Sequence, residues 1–435
     1  MKISTINRNI LRLALPSIMA NITVPLVGIV DLAIAGHLGD AASIGGIAIG
    51  SMLFDLLYWN MGFLRVGTGG ITAQAYGRRD FKEAMDTFTR GMATALAVAL
   101  LIWIIQWVYI EVAFALVVCS PEVESIAREY FFIRVWAAPA TLTLMVFKGW
   151  FIGMQNTVLP MAVDITVNVV NIVVSYILAV HTPMRVAGVA AGTVIAQYSG
   201  LLLATILMYC NFRKYFHLIS VRASVKLNKM KAFFTINGNL FIRSLCMLVI
   251  YIGFTSIAAK YGDTLLAVSS VMMKLLLLYS YFVDGFAYAG EALVGRFIGE
   301  KNSDSLISTV RWIFIWCFGI SIFSTLIYAG LGKPMFRLMT DNPAVVEAST
   351  PFLFWLLLMP VVSCIAFTWD GIFIGATATN QLRNSMIWSA VLFIITYVAF
   401  ESLLGIQSLY LAYFVHLLVR TLYLTIVRKR ALTIK

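Results

Sequence analysis

Long apolar runs, broken by short polar or basic stretches, dominate this chain. Runs of spanning length fall at about 10–36, 44–72, 91–118, 130–153, 158–180, 187–210, 233–259, 265–297, 310–331, 351–375, 385–404 and 407–427. A helix needs about 20 apolar residues to cross a hydrocarbon core roughly 30 Å thick. Inside that core a helix satisfies its own backbone, whereas an open strand does not. The pattern therefore predicts an all-α polytopic membrane protein of about twelve transmembrane helices. The first run starts near Ile10 and passes Val30, longer than the roughly 7–15-residue core of a cleaved signal, so it is read as the first span. The connections are short and carry turn chemistry, as in His181-Thr182-Pro183 and Gly332-Lys333-Pro334, and leave no room for a large domain outside the membrane.

Composition agrees: 61% of residues are apolar and 12% charged, with a mean hydropathy of +0.90, against about 25% charged in soluble proteins. The net charge of +12 is spread over short clusters between spans, which marks topology rather than a nucleic-acid surface. One side collects twenty-one Lys and Arg, among them Lys2, Arg78, Arg79, Lys214, Lys229, Arg296, Arg428 and Lys435; the other holds about five, including Arg128 and Lys260. Both termini are thus expected in the cytoplasm, with the chain in the cell's inner membrane. The five cysteines are scattered and lack metal-ligand spacing, so free thiols and no metal are expected. No HExxH, Walker loop or aspartate-rich diphosphate motif occurs. Neither an enzyme nor a cofactor is indicated, and uphill transport would draw on an ion gradient.

The chain also repeats itself. Gly39-Asp40 and Gly62-Phe63 recur in the second half, at one shared offset, as Gly262-Asp263 and Gly285-Phe286. Phe151-Ile152-Gly153 recurs as Phe373-Ile374-Gly375 at an offset one shorter, with Gly149 matched by Gly371. A six-helix unit returns the chain to its starting side, so two copies share one orientation about an axis along the membrane normal. The expected organisation is a six-helix lobe over 1–210, a basic cytoplasmic connector over 211–231 and a second six-helix lobe over 232–435.

Charges within the apolar runs are expensive and point to function. Here they are Asp31, Asp55, Arg65, Arg134, Lys148, Asp164, Arg243, Lys274, Asp284, Glu291, Asp370, Glu401 and Arg420. Arg134, Lys148, Asp370, Glu401 and Arg420 fall towards span ends, where contacts with loops or headgroups explain them. Asp31 lies about 31 Å along the first helix, after Pro16 and Pro25, each of which removes a backbone hydrogen bond and favours a bend. A carboxylate taken out of water holds its charge at a cost, so it can load and unload a proton; a permanent ion pair with a base on another helix is the competing reading. On the fifth helix Asp164, Asn168, Asn171 and Ser175 follow i, i+4, i+7, i+11 and share one stripe, as ion-coupling groups or as interhelical glue. On the eighth, Tyr281, Asp284, Tyr288 and Glu291 share a face that suits a flat lipophilic cation. The acids there could instead pair with Arg243 or Lys274. Asp55, beside Tyr58 and Trp59 on the second helix, reads similarly, with Arg65 available as its competing partner.

Several tracts resemble the multidrug and toxic compound extrusion (MATE) family. They include Leu13-Ala14-Leu15-Pro16 through Val30-Asp31 to Gly36-His37-Leu38-Gly39, and Gln74-Ala75-Tyr76-Gly77-Arg78-Arg79-Asp80. Asp284-Gly285-Phe286 to Glu291-Ala292-Leu293-Val294-Gly295, Arg134 to Pro139, and Asp370-Gly371 to Gly375 look most like the DinF-like branch. The resemblance implies twelve helices in two six-helix lobes, exporting organic cations in exchange for protons or sodium by alternating access. It matches Asp31 to the ion-coupling aspartate of the first helix, Pro16 to the proline where that helix bends, and Asn171 to a polar partner of the aspartate. Ser175 stands where many relatives carry a carboxylate. Asp370 corresponds only loosely to a tenth-helix acid of sodium-coupled relatives, which favours protons. The expected partners are small organic cations, the coupling ion and membrane lipid, with the chain working as a monomer. The alternatives are a lipid-linked glycan flippase of the same wider superfamily, which would favour a strongly cationic cavity, and an integral-membrane enzyme.

Overall fold

The computed structural model describes residues 3–37, 41–117, 119–340 and 342–434. Among these, no strand occurs and twelve helical segments are long and apolar enough to cross a membrane. We label them α1 (Ser4–Asp31), α2 (Ala42–Gly77), α3 (Phe81–Leu116), α4 (Pro121–Gly153), α5 (Val158–Val180), α6 (Arg185–Leu218), α7 (Asn228–Ala259), α8 (Asp263–Gly299), α9 (Ser303–Met339), α10 (Pro343–Gly375), α11 (Thr379–Leu404) and α12 (Gln407–Ala431). The chain is an all-α, multi-pass membrane protein. Leu38, Gly39 and Asp40 of the first-helix motif and repeat, and Lys2 and Lys435 of the basic set, lie outside the described residues.

Several helices outrun their apolar runs. At 36 residues, α3 is about 54 Å long, and it starts at Phe81 rather than near residue 91. Its extra turns carry Lys82, Glu83, Asp86 and Arg90. The Asp80 carboxylate begins it by accepting from the Glu83 backbone N–H at 3.0 Å, which satisfies a donor the first turn leaves open. Asn302 caps α9 in the same way, accepting from Ser305 N–H at 3.0 Å. The helix around α1 runs unbroken from Ile3 to His37, through Pro16 and Pro25.

The chain folds as two compact units, residues 19–234 and residues 1–18 with 235–435, so the division falls inside the first helix between Ile18 and Met19. In the 19–234 unit, Phe131 stacks on Phe54 at 4.9 Å, and Trp150 meets Phe212 edge-on at 4.8 Å. In the other unit Tyr410 gathers Phe254, Phe352 and Trp355, and its hydroxyl shares a 2.8 Å hydrogen bond with Ser269. There Gly285 of α8 faces α1: a Cβ at Gly285 would lie 2.9 Å from the Ala14 carbonyl oxygen.

The same backbone devices occur in both units, at the offset that separates Gly149 from Gly371. Arg79 and Gln155 take left-handed φ values of +58° and +64°; Lys301 and Thr377 take +55° and +53°. Each closes a helix by the same pair of bonds, such as Arg79 N–H to Tyr76 O with Asp80 N–H to Ala75 O, and Lys301 N–H to Ile298 O with Asn302 N–H to Phe297 O. These are Schellman caps, which return orphan carbonyls to the helix end. A Cβ on Gly149 of α4 would come within 2.1 Å of the Arg65 carbonyl oxygen on α2, and one on Gly371 of α10 within 2.2 Å of that of Ala287 on α8. Gly371→Ala is therefore expected to cost about 1–3 kcal/mol through overpacking. Gly319→Ala, with nothing within 4 Å, should leave stability unchanged or slightly raised. Melting temperatures of the two purified variants against the parent chain check this.

Candidate functional site

The 19–234 unit draws two of the expected acids around one base. Asp31, near the end of α1, is half-buried, and its Oδ1 is shielded from solvent with no hydrogen-bond partner among the described residues. Asp55 on α2 is exposed. Arg134 of α4 lies within electrostatic reach of both, yet neither acid makes an ion pair within 4.0 Å of it among the described residues. Its guanidinium is held elsewhere: Nη1 donates to Tyr130 Oη at 2.9 Å and to Ser51 Oγ at 3.4 Å, and the group lies 4.8 Å from the centre of the Phe54 ring. Arg134 ends the α-helical stretch Pro121–Arg134, just before a tighter turn at Val135–Ala137. Its position near the end of an apolar run suggests a loop contact, whereas the structure turns it towards the two acids. The fixed cation lowers the cost of their charges without neutralising either.

The α5 stripe does not stay together. Asp164 forms an ion pair with Lys148 of α4. Asn168 Nδ2 donates to Thr23 Oγ1 of α1 at 2.7 Å. Asn171 is buried and donates to Thr193 Oγ1 of α6 at 2.9 Å, while its Oδ1 is buried without a partner. Ser175 Oγ donates to the Val189 carbonyl at 3.3 Å. One helical face thus meets three neighbours in turn. Its direct bond to α1 falls at Thr23, about 12 Å along the helix from Asp31.

In the other unit α8 carries Tyr281, Asp284, Tyr288 and Glu291. Glu291 is fully buried, whereas Tyr281, Asp284 and Tyr288 each keep some open surface. The Asp284 charge acts on Tyr251 and Tyr281. Arg243, which spacing left open as a partner for these acids, instead pairs with Asp370 of α10, and so does Arg420 of α12. Asp370 is 12% exposed at its side chain and Arg420 2%, so this is a buried group of two cations on one anion. Lys274 is exposed. Among the described residues no cluster of three or more His, Cys, Asp or Glu could hold a metal ion.

Removing one member of a buried ion group strands the rest in a poor solvent, at about 3–5 kcal/mol. Asp370→Ala is expected to lose stability on that scale. Lys333→Ala, which breaks the loose 3.9 Å pair with exposed Glu347, should leave the melting curve in place. Thermal unfolding of both purified variants decides it.

Comparisons with known proteins follow the same outline. The profile of the family described as MatE matches the chain twice, at residues 16–177 and 240–399. DNA damage-inducible protein F of Escherichia coli K12 is 33% identical over 422 residues, covering 96% of this chain and 91% of its own. A probable multidrug resistance protein NorM of Thermotoga maritima is 23% identical over 360 residues, covering 80% and 75%. Among solved structures, a MOP-superfamily transporter of Pyrococcus furiosus, described as having a binding pocket of reversed polarity, superposes with a TM-score of 0.88 at 18% identity over 98% of this chain and 96% of its own. A MATE transporter of Vibrio cholerae in a bent form gives 0.86 at 15% identity, over 99% and 98%.

Proposed function

The chain belongs to the MatE family of membrane transporters, and on that premise we propose that it exports organic cations by exchanging them for protons through alternating access. Its relatives are transporters of small molecules and not enzymes. The observation that supports proton exchange is the state of Asp31: a carboxylate oxygen shielded without a hydrogen bond, near a guanidinium that is bonded elsewhere. A shielded, unbonded anion is costly, and two events relieve it, uptake of a proton or approach of a cation. One carboxylate that answers to either, and not to both together, couples them in opposite directions. A ligand shifts such an equilibrium only through its differential affinity for the two states.

In this reading Asp31 carries the proton, and Asn168, Asn171, Asp164 and Ser175 hold α5 against its neighbours and steady the helix that bears Asp31. Pro16 and Pro25 are the points where α1 lacks backbone bonds and can change course. Asp55, and on α8 Asp284 with Tyr281 and Tyr288, supply negative charge and ring faces for a lipophilic cation. Glu291 lies on the same face of α8, fully buried. The face rich in Lys and Arg is assigned to the cytoplasm, which puts both termini there and the protein in the inner membrane.

Dye efflux from vesicles holding the purified chain tests this, with proton and sodium gradients imposed separately. Efflux should follow the proton gradient alone, and Asp31→Asn should fall to the background of empty vesicles at an unchanged membrane level. Full activity in that variant removes Asp31 from the mechanism, and efflux on the sodium gradient alone replaces the proton.

A further inference from the structure

A cavity of about 1000 Å³ opens in the C-terminal unit between α9, α10 and α12. Its walls include Ile307, Val310, Phe314 and Phe318 of α9 with Ile365 and Trp369 of α10. Trp369 is locked in place: its Nε1 donates to Thr425 Oγ1 of α12 at 2.9 Å, and its ring meets Phe314 edge-on at 4.8 Å. One end is different. There the lining includes Ser303, Arg428, Lys429 and Thr433, beside the apolar Leu432 and Ile434, at the start of α9 and at and just past the end of α12. Among the described residues no acidic side chain lines the cavity. Arg428 and Lys429 are exposed and have no carboxylate within 4.0 Å among the described residues.

An apolar wall with no partner atoms forfeits its dispersion contacts, so a groove of this size open to lipid fills. Its chemistry selects the occupant. The apolar length calls for an acyl chain, and two unpaired cations at a single end call for an anionic head. A guanidinium binds phosphate oxygens in pairs, and an adjacent ammonium adds a point charge. Free phosphate would leave the aromatic walls empty, and a neutral lipid would leave the cations unanswered. Basic pockets between helices on the positively charged side of a membrane protein are suited to anionic headgroups.

The geometry points to a site for one anionic glycerophospholipid, its phosphate held between Arg428 and Lys429 and one acyl chain laid along Phe314, Phe318 and Ile365. The site belongs wholly to the C-terminal unit and makes no use of Asp31, so it stands or falls apart from the exchange mechanism.

Native mass spectrometry of the purified full chain, titrated with phosphatidylglycerol or phosphatidylcholine, reads occupancy directly. The parent chain should retain one phosphatidylglycerol about tenfold more tightly than phosphatidylcholine. Arg428→Gln with Lys429→Gln should erase that preference, and both changes lie on an exposed helix end where folding does not depend on them. Val310→Trp, which fills the cavity and leaves both charges, should lower retention of either lipid. Equal affinity of the parent chain for the two lipids, or an unchanged preference in the double variant, overturns the proposal. So does full displacement of the phospholipid by inorganic phosphate, or a dimer in place of a lipid-bound monomer.

Discussion

Hydrocarbon offers no partner to a polar atom, and the rest of the structure follows from that. The backbone meets the constraint by staying helical across every span. Hydroxyls meet it by folding back on the preceding turn, as Ser17 does to the Leu13 carbonyl at 3.0 Å and Thr166 to that of Ala162 at 2.8 Å. Amides meet it by reaching a neighbouring helix, and charges by pairing, as Lys148 does with Asp164 and Asp370 with two arginines. Some buried polar atoms are left without a hydrogen bond, among them Asn171 Oδ1 and Asp31 Oδ1, and of these two only Asp31 belongs to an ionisable group with a guanidinium in electrostatic reach. A group that breaks the rule while a cation lies nearby is a group whose state can change.

The two compact units obey the constraint with the same parts. Their helices end in the same left-handed caps on non-glycine residues, and their glycines press against a neighbouring backbone at matched positions. The two separate matches of the family profile fall on the same halves. Such caps are strained by about 1–3 kcal/mol each, so finding them at Arg79 and Lys301, and again at Gln155 and Thr377, ties the halves to a common backbone more firmly than dipeptide matches do.

The twelve helices were legible because each lipid-crossing segment must announce itself as an apolar run. Their ends were less so: Asp80 and Asn302 carry helices well into polar sequence, where hydropathy is silent but capping chemistry is not. The site was legible in its residue types and only partly in its contacts. Periodicity puts Asp164, Asn168, Asn171 and Ser175 on one face of α5, and cannot say that this face meets α4, α1 and α6 in succession. Arg134 was hidden by its place at the end of a run. Asp370 drew little notice for the same reason, since its partners Arg243 and Arg420 stand 127 and 50 residues away, beyond any local signal.

Lys148 and Asp370 are themselves counterparts in the two copies, for each directly precedes one of the pressed glycines, Gly149 and Gly371. The same seat in the mould therefore holds a base in one copy and an acid in the other. Each is answered by complementary side chains, Asp164 in the first and Arg243 with Arg420 in the second. A change of sign at either seat, unless its partner changes too, leaves a part-buried charge without its counter-charge. The shape of the seat thus leaves open the sign of the charge that occupies it.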